Sequence, residues 1–283
     1  MKIFVGLVTH PESRFNGAGE AMAELNFVAG VLGSAGHEVV SLVSDRDDYD
    51  SNQYPLNVSR RLTSAWKQAE LEARWRRYVA SGGGQSTPSA WDVERVLASA
   101  RRCLSAVGIP KAGRDLSEAG LRRLINIDLS HLRLWSAAIH EEAEVVLVME
   151  DDARFDSSLN TAQFVEMLTT FPREGLGFAV LSKSLSAQKL GLASHATVAG
   201  RVNAEHQYWV EMSPAVTNTV CANAYSLAMA RKLVDEIDSS GLFPVHPIDW
   251  RLNQFLMNTS GVRCFWAELA PFVQASMHGS GDQ

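Results

Sequence analysis

Short apolar runs alternate along the chain with segments whose apolar residues recur at helical spacing. This alternation predicts strands separated by helices. Residues 2–8 are almost entirely apolar, as is typical of a strand at the centre of a sheet. Residues 20–35 carry apolar side chains at helical spacing and stop at glycines, and residues 38–43 form a second short apolar run. The chain therefore opens with a predicted strand, helix and strand.

The second half of the chain continues this alternation. Helices are predicted by apolar side chains at helical spacing, at residues 128–143, 159–170, 226–237 and 249–258. Strands are predicted by short apolar runs, at residues 145–149, 178–181, 208–212, 220–225 and 262–266. Residues 182–203, rich in Ser, Gly and Ala, predict a loop, and the tail from residue 271 has no clear period. The pattern predicts an α/β fold with a mostly parallel central sheet flanked by helices.

The middle of the chain departs from this alternation. Residues 59–80 predict a helix with one apolar and one basic face, and a Gly- and Ser-rich break follows at 81–89. We therefore predict one domain over residues 1–283 with a helical insertion at about 58–126. The insertion could be a lid, an acceptor-side subdomain or simple packing. Its basic face could touch an anionic acceptor or lipid headgroups, or belong to an ordinary amphipathic helix.

Composition narrows the classes of function. The chain has 283 residues, a net charge of −6 and a sequence pI of about 5.8, which gives no electrostatic basis for nucleic-acid binding. No apolar run approaches the roughly 20 residues of a membrane span, and no signal peptide is evident. The cysteines, Cys103, Cys221 and Cys264, are far apart and odd in number, which is typical of reduced thiols in a cytoplasmic protein.

The strongest chemical signal follows the apolar run at residues 145–149. Three acids, Glu150, Asp151 and Asp152, come directly after it. Adjacent carboxylates repel one another, and a divalent cation such as Mg²⁺ or Mn²⁺ would relieve that repulsion through oxygen ligands. The alternative interpretation is a solvated acidic turn after a core strand.

Other polar residues follow neighbouring predicted strands. A loop beginning at Thr9 follows the first strand, and Asp45 follows the second. Because ligands of such sheets bind beyond the carboxyl ends of the strands, these groups predict a nucleotide and a metal at one edge. Neither a P-loop nor a G-x-G-x-x-G sequence is present. The remaining common use of a nucleotide with a carboxylate-held cation is sugar transfer from a nucleotide-sugar, where the cation neutralises the leaving diphosphate.

Two blocks of the sequence resemble the central signature of family 25 glycosyltransferases, which include lipopolysaccharide and collagen galactosyltransferases. The first is Ile127-Asp128-Leu129-Ser130-His131-Leu132-Arg133-Leu134-Trp135, and the second is Leu147-Val148-Met149-Glu150-Asp151-Asp152-Ala153. The segment Ala222–Leu227 and the turn Pro247-Ile248-Asp249-Trp250 are similar to a third block of that family. Residues 10–15 are similar to the openings of several GT-A glycosyltransferases. The resemblance implies a GT-A-type fold.

The residues and the resemblance together give nine side chains expected roles. The expected metal ligands are Glu150, Asp152 and His278. The expected nucleotide-sugar contacts are Thr9, Arg14, Asp45 and Asp151, and the expected catalytic groups are Asp249 and His131. Four of them have structural alternatives. His131 could be a core histidine, Asp249 a helix N-cap, His278 part of a disordered terminus, and Arg14 a solvated arginine.

The expected activity is a metal-assisted transfer of a sugar from a nucleotide-diphosphate sugar, with UDP as the expected nucleotide, to a glycan or small-molecule acceptor. One alternative is a sugar nucleotidyltransferase, which normally carries a lysine in a Gly-rich first loop; residues 6–19 contain no lysine. Another is a non-catalytic nucleotide-sugar-binding protein on the same fold.

Overall fold

The computed structural model describes residues 1–10, 19–45, 118–173, 175–183, 197–202, 208–213, 217, 220–240, 248–259 and 261–278. The elements over these residues are, in chain order, β1 Lys2–Val8, α1 Glu20–Ser34, β2 Glu38–Ser44, α2 Glu118–His140, β3 Val145–Glu150, β4 Ala153–Phe155, α3 Thr161–Arg173, β5 Phe178–Val180, β6 Ser182–Lys183, β7 Thr197–Val202, β8 Trp209–Ser213, β9 Ala222–Ser226, α4 Leu227–Ser240, α5 Ile248–Asn258, β10 Cys264–Ala267, β11 Phe272–Gln274 and α6 Ala275–His278.

The main sheet has eight strands in the order β2-β1-β3-β9-β5-β10-β8-β7. β1 pairs in parallel with β2 and β3, and β5 pairs in parallel with β10. β9 and β8 run against their neighbours, so the sheet is mixed rather than mostly parallel. The α/β class predicted from the sequence is confirmed. The prediction of a mostly parallel sheet was wrong. An apolar run such as that of β9 has the same pattern whether the strand is parallel or antiparallel to its neighbours.

The central strands β1 and β3 are buried on both faces, and their alternate side chains enter two separate cores. One core contains side chains of α1 and α3 and takes the odd-numbered strand residues Ile3, Val5, Leu7, Val145, Leu147 and Met149. The other contains side chains of α2, α4 and α5 and takes the even-numbered strand residues Phe4, Val8, Val146 and Val148. Helices therefore cover both faces of the sheet, and the continuous apolar runs of the strands have this two-sided burial as their cause.

The turn between α1 and β2 sets where β2 begins. The backbone N–H of Gly36 donates to Gly33 O at 2.9 Å, and that of His37 donates to Leu32 O at 3.3 Å. This pair of bonds is a Schellman motif, and Gly36 takes the left-handed conformation it requires, with φ of 85°. The helix therefore ends where the glycines predicted, and β2 lies alongside β1.

Three short strands form a second sheet in the order β4-β11-β6. Phe272 of β11 is buried, and its ring lies 5.8 Å from that of Phe155 in β4 and 5.7 Å from that of Phe164 in α3. The aperiodic tail thus contains a strand and a short helix. The loop predicted over 182–203 was also wrong in part, because residues 182–183 and 197–202 form strands.

The predicted insertion lies outside the described residues as far as residue 117. Helix α2 runs without a break from Glu118 to His140, so residues 118–126 belong to the helix that carries the Ser-His-Leu motif. Across the described residues, no helix is both long enough and apolar enough to cross a membrane. Cys221 and Cys264 are buried, as predicted, and form no disulfide within the described part of the chain; Cys103 lies outside that part.

Gly6 in β1 makes the closest approach to α2. A Cβ at this position would lie 2.9 Å from Leu134 Cδ1 and 3.2 Å from Leu134 Cγ. We expect Gly6→Ala to lower the free energy of unfolding by about 1–3 kcal/mol, because a packed core tolerates an added methyl poorly. Gly30→Ala in α1 is the matched control, since nothing lies within 4 Å of the added Cβ there. That variant should gain up to about 1 kcal/mol in urea unfolding. Equal effects at the two sites would contradict the packing of α2 on β1.

Candidate functional site

The carboxyl ends of β1, β2 and β3 meet at one edge of the main sheet. Val8 lies between Ser44 and Glu150 in the register of the three parallel strands. One residue on, the backbone N–H of Thr9 donates to Ser44 O at 3.0 Å, and the Thr9 hydroxyl donates to Asp151 Oδ2 at 3.4 Å. The convergence predicted from the sequence is confirmed for these residues, and the three strands fix it through backbone pairing.

Glu150 lies at the centre of this edge, and its side chain is 18% exposed. Its Oε1 lies 3.6 Å from His131 Nε2. Burial raises the pKa of the Glu150 carboxyl well above its usual range, three nearby carboxylates raise it further (Asp152, Asp151 and Asp249), and the Arg123 guanidinium opposes them more weakly. The cluster is therefore electrostatically unfavourable on its own, and a bound cation or proton would stabilise it.

Asp152 is the most enclosed of the three consecutive acids, at 6% exposed. Its Oδ2 accepts hydrogen bonds from Gln274 Nε2 at 3.1 Å and from Ser276 Oγ at 2.5 Å. Its Oδ1 is buried and has no hydrogen-bond partner among the described residues. The protein thus satisfies Oδ2, while Oδ1 accepts no hydrogen bond within the described part of the chain.

The turn that carries the acids is held by Arg154. Its Nη1 donates to the backbone oxygens of Asp151 and Ala153, both at 2.8 Å, and its Nη2 lies 3.1 Å from Glu20 Oε2. A guanidinium presents several donors in a fixed plane, which suits it to hold two carbonyls at once. Sequence reasoning missed Arg154, although an arginine two residues after an acidic run was a signal that could have identified it.

His131 is wholly buried in α2. Its ring lies 5.6 Å from that of Trp135, which in turn lies 5.5 Å from that of Tyr225. Burial lowers the pKa of His131 to about 3, so the imidazole is neutral at pH 7 and its contact with Glu150 is not a salt bridge. This environment is that of a core histidine, the alternative considered from the sequence, with the addition that it borders Glu150.

The burial of His131 has a consequence for stability. Between its usual pKa of 6.5 and its folded value of about 3, the unfolded chain binds a proton at His131 that the folded chain does not. Stability from this group is therefore complete above pH 6.5 and falls as the pH is lowered, by up to about 1.4 kcal/mol per pH unit. His131→Asn should remove that share of the pH dependence in urea unfolding between pH 7 and 5.

His140→Asn is the control for this experiment, because His140 is an exposed imidazole in the last turn of the same helix. A wild-type pH slope that His131→Asn leaves unchanged would show that the imidazole is not held neutral in the core.

Asp249 approaches the cluster from the opposite element, α5. It lies in the first turn of that helix, which begins at Ile248, so the structure does not give it the N-cap position considered from the sequence. Its charge raises the pKa of both Glu150 and Asp128, so it lies within electrostatic range of both carboxyls. The structure thus brings Asp249 close enough to influence Glu150, although more than ninety residues separate them in the chain.

Asp128 was not predicted as a site residue, and it is wholly buried in α2. Burial raises the pKa of its carboxyl well above the usual range, while the nearby Arg251 guanidinium acts in the opposite direction. Neither Asp128 oxygen has a hydrogen-bond partner among the described residues. Its place within a helical pattern made it look like a surface residue, so its sequence context gave no signal of burial.

Three of the nine expected residues are not brought into this cluster by a described contact. Asp45 is exposed and follows Ser44 at the same edge, with β1 between it and β3. Arg14 lies outside the described residues. His278 ends helix α6, and its side chain lies outside what the structure describes.

The fit of a divalent cation can be judged from the donors at this edge. Among the described side chains, no group of three His, Cys, Asp or Glu residues is arranged to hold a metal ion. The unpartnered Oδ1 of Asp152 and the neighbouring Glu150 carboxyl still supply hard oxygen donors. One or two carboxylates suit Mg²⁺ when substrate phosphates and water complete its shell. These two carboxyl groups are therefore candidate oxygen ligands for a divalent cation.

Comparisons with protein-family models and with curated proteins find no match to this chain, so the family resemblance of the two sequence blocks stays an expectation.

Proposed function

We propose that this chain is a metal-assisted glycosyltransferase on a GT-A-type fold, which transfers a sugar from a nucleotide-diphosphate sugar to an acceptor hydroxyl. The observation that carries the proposal is the buried Asp152, whose Oδ1 has no described hydrogen-bond partner at an edge crowded with carboxylates. Such an edge favours a ligand that brings positive charge. A cation bound to a diphosphate meets that requirement and suits the carboxyl ends of parallel strands.

In this proposal Asp152 and Glu150 hold Mn²⁺ or Mg²⁺, with His278 as the expected third protein ligand. When bound, the cation neutralises charge on the leaving diphosphate. Glu150 has to lose its proton to act as a ligand, since its pKa is raised by burial and by the other acids. His131 then has a positioning role, because its ring borders Glu150 and is fully enclosed.

The donor would lie across the ends of β1, β2 and β3. Thr9 and Asp151, already in contact with each other, are proposed contacts to the nucleotide-sugar, while the exposed Asp45 is the proposed contact to the ribose or base. Arg14 is the proposed cationic contact to the nucleotide. The expected donor is a UDP-sugar.

Asp249 is the proposed base for the acceptor. The acceptor oxygen forms a bond to the anomeric carbon, and the bond from that carbon to the diphosphate oxygen breaks with its electron pair leaving on the diphosphate. The acceptor proton passes to the Asp249 carboxylate, which reaches the cluster from the first turn of α5.

A thermal-shift screen tests this proposal most broadly. Nucleotide-diphosphate sugars with different bases should be tested with Mn²⁺ and with chelator. We expect UDP-sugars to raise the melting temperature with Mn²⁺ and to lose that effect on chelation, because ligand binding to the folded state stabilises it. No shift with any nucleotide would overturn the proposal.

Turnover separates the proposed activity from its alternatives. A glycosyltransferase should release UDP slowly from a UDP-sugar by hydrolysis, and Mn²⁺ should increase the rate. A sugar nucleotidyltransferase would instead release pyrophosphate from a nucleoside triphosphate and a sugar phosphate. Binding without either reaction would indicate a non-catalytic nucleotide-sugar-binding protein.

A further inference from the structure

The carboxylate of Asp152 is held unequally by the protein. The amide of Gln274 and the hydroxyl of Ser276 both donate to Oδ2, and the buried Cys221 thiol also hydrogen-bonds to this carboxylate. Oδ1, in the same buried group, has no described hydrogen-bond partner. A carboxylate bonded at one oxygen by two donors cannot rotate without losing both bonds. Its second oxygen is therefore presented in one fixed direction.

The two donors belong to one anchored segment at the end of the described chain. Gln274 is paired with Ala153 in the antiparallel ladder of β11 and β4, directly beside Asp152. The backbone N–H of Ala275 continues that ladder by donating to Asp152 O at 2.8 Å. Asp152 and the donors to its side chain are thus fixed by the same run of backbone hydrogen bonds.

Aromatic packing fixes the other end of this segment. Phe272 is fully buried and contacts the rings of Phe155 and Phe164 edge-on. Such contacts contribute roughly 0.5–1.5 kcal/mol each beyond the area they bury. The segment 272–276 is consequently a rigid support for Asp152.

We propose that Gln274 and Ser276 are positioning residues that orient Asp152 so that it offers a single oxygen, Oδ1, to the divalent cation. This inference rests on the metal-assisted function proposed above, and it adds residues to which neither the motifs nor the family resemblance assigns a role. Neither residue touches the cation. They act through Asp152, as outer hydrogen-bond partners of metal-ligating carboxylates commonly do, and loss of one such partner typically weakens metal binding by 10- to 100-fold.

The competing explanation is that these hydrogen bonds only stabilise the packing of segment 272–276 against the rest of the domain. The two explanations differ in what they predict for metal affinity. A purely structural role predicts that the variants have a lower melting temperature but that the folded protein binds the cation with unchanged affinity. Positioning predicts weaker cation binding even under conditions where the variant is fully folded.

The test is a titration of the full chain with Mn²⁺, followed by electron paramagnetic resonance of the free ion. Ser276→Ala and Gln274→Met each remove one donor to Oδ2. We expect each to raise the Mn²⁺ dissociation constant by about 10- to 100-fold. Ser276→Thr keeps the hydroxyl and should restore affinity to within a few-fold of the wild type.

Ser158→Ala is the matched control. The Ser158 hydroxyl donates to Asp156 Oδ1 at 2.6 Å, which is the same Ser–Asp chemistry on an exposed turn. Its Mn²⁺ affinity should equal that of the wild type. Melting temperatures without metal, taken in parallel, identify any variant that is partly unfolded.

Each outcome is informative. Wild-type chain that binds Mn²⁺ while Ser276→Ala and Gln274→Met bind it equally well would overturn the positioning role and leave the proposed function standing. Wild-type chain that binds no Mn²⁺, with or without UDP, would overturn the metal-assisted function itself. Weaker binding in both variants, with recovery in Ser276→Thr, supports the positioning role.

Discussion

Replacement of Asp152 by Asn should reduce Mn²⁺ affinity and Mn²⁺-dependent turnover by about 100-fold or more, while the fold is retained. The side-chain oxygen of Asn can still accept the hydrogen bonds from Gln274 and Ser276. The amide nitrogen would then stand where Oδ1 stands in the wild type, and it offers no lone pair to a cation. A loss of several kcal/mol of charge stabilisation corresponds to this change in rate.

The free energy of unfolding should not fall in this variant. The charge of Asp152 repels that of Glu150 and raises its pKa, so removal of the charge relieves repulsion. Asp156→Asn provides the control, since Asp156 is an acid of the same turn region that bonds to Ser158. Isothermal titration with Mn²⁺ and a turnover assay check both variants. If Asp152→Asn binds Mn²⁺ like the wild type, Asp152 is not a ligand.

Replacement of Asp249 by Asn should lower kcat by about 100- to 10,000-fold, the range expected for loss of a general base. Binding of the donor and of Mn²⁺ should change little by comparison. As a first-turn acid of α5, Asp249 stabilises the helix dipole by only about 0.3–1 kcal/mol. A purely structural role therefore predicts a small loss of stability and nearly full activity.

Steady-state kinetics and urea unfolding, measured on the same preparation, separate the two roles of Asp249. Asp235→Asn, at an exposed acid of α4, controls for removal of a helix charge. Activity of Asp249→Asn within about threefold of the wild type would show that the acceptor proton goes elsewhere.

The long helices and strands were predictable from sequence because the spacing of their apolar residues follows the faces that they bury. The run Val145–Met149 is apolar at every position, since α1 and α3 cover one face of β3 while α2, α4 and α5 cover the other. Helix α1 was bounded correctly because Gly36 is needed for its C-terminal turn. Strand direction was not predictable, because β9 reads the same whether it runs with β3 or against it.

The short strands were missed for a different reason. β4, β6 and β11 each have two or three residues, too few to show a period, and each exists through its partners. Phe272 belongs to a strand because β4 and β6 flank it, which is a non-local cause. β7 was missed because its sequence contains only two large apolar residues, Val198 and Val202, and an irregularity in its pairing between Val198 and Gly200 breaks the alternation.

The acids of the site were predictable, and their supports were not. Glu150, Asp151 and Asp152 stood out because three consecutive carboxylates after an apolar strand repel one another. Gln274 and Ser276 are ordinary polar residues, and their proposed role rests on hydrogen bonds to a residue more than 120 positions earlier. Asp128 was not predicted as a site residue, because the sequence does not distinguish a buried acid in a helix from an exposed one.

The central claim is that the acidic edge binds a nucleoside diphosphate together with a divalent cation. Calorimetric titration of the wild type with UDP, GDP, ADP and CDP, in Mn²⁺ and in EDTA, tests it most directly. We expect UDP to bind in Mn²⁺, with affinity at least about tenfold lower in EDTA and in the Asp152→Asn variant. Failure of every nucleotide to bind, or binding that neither EDTA nor Asp152→Asn weakens, would contradict the claim.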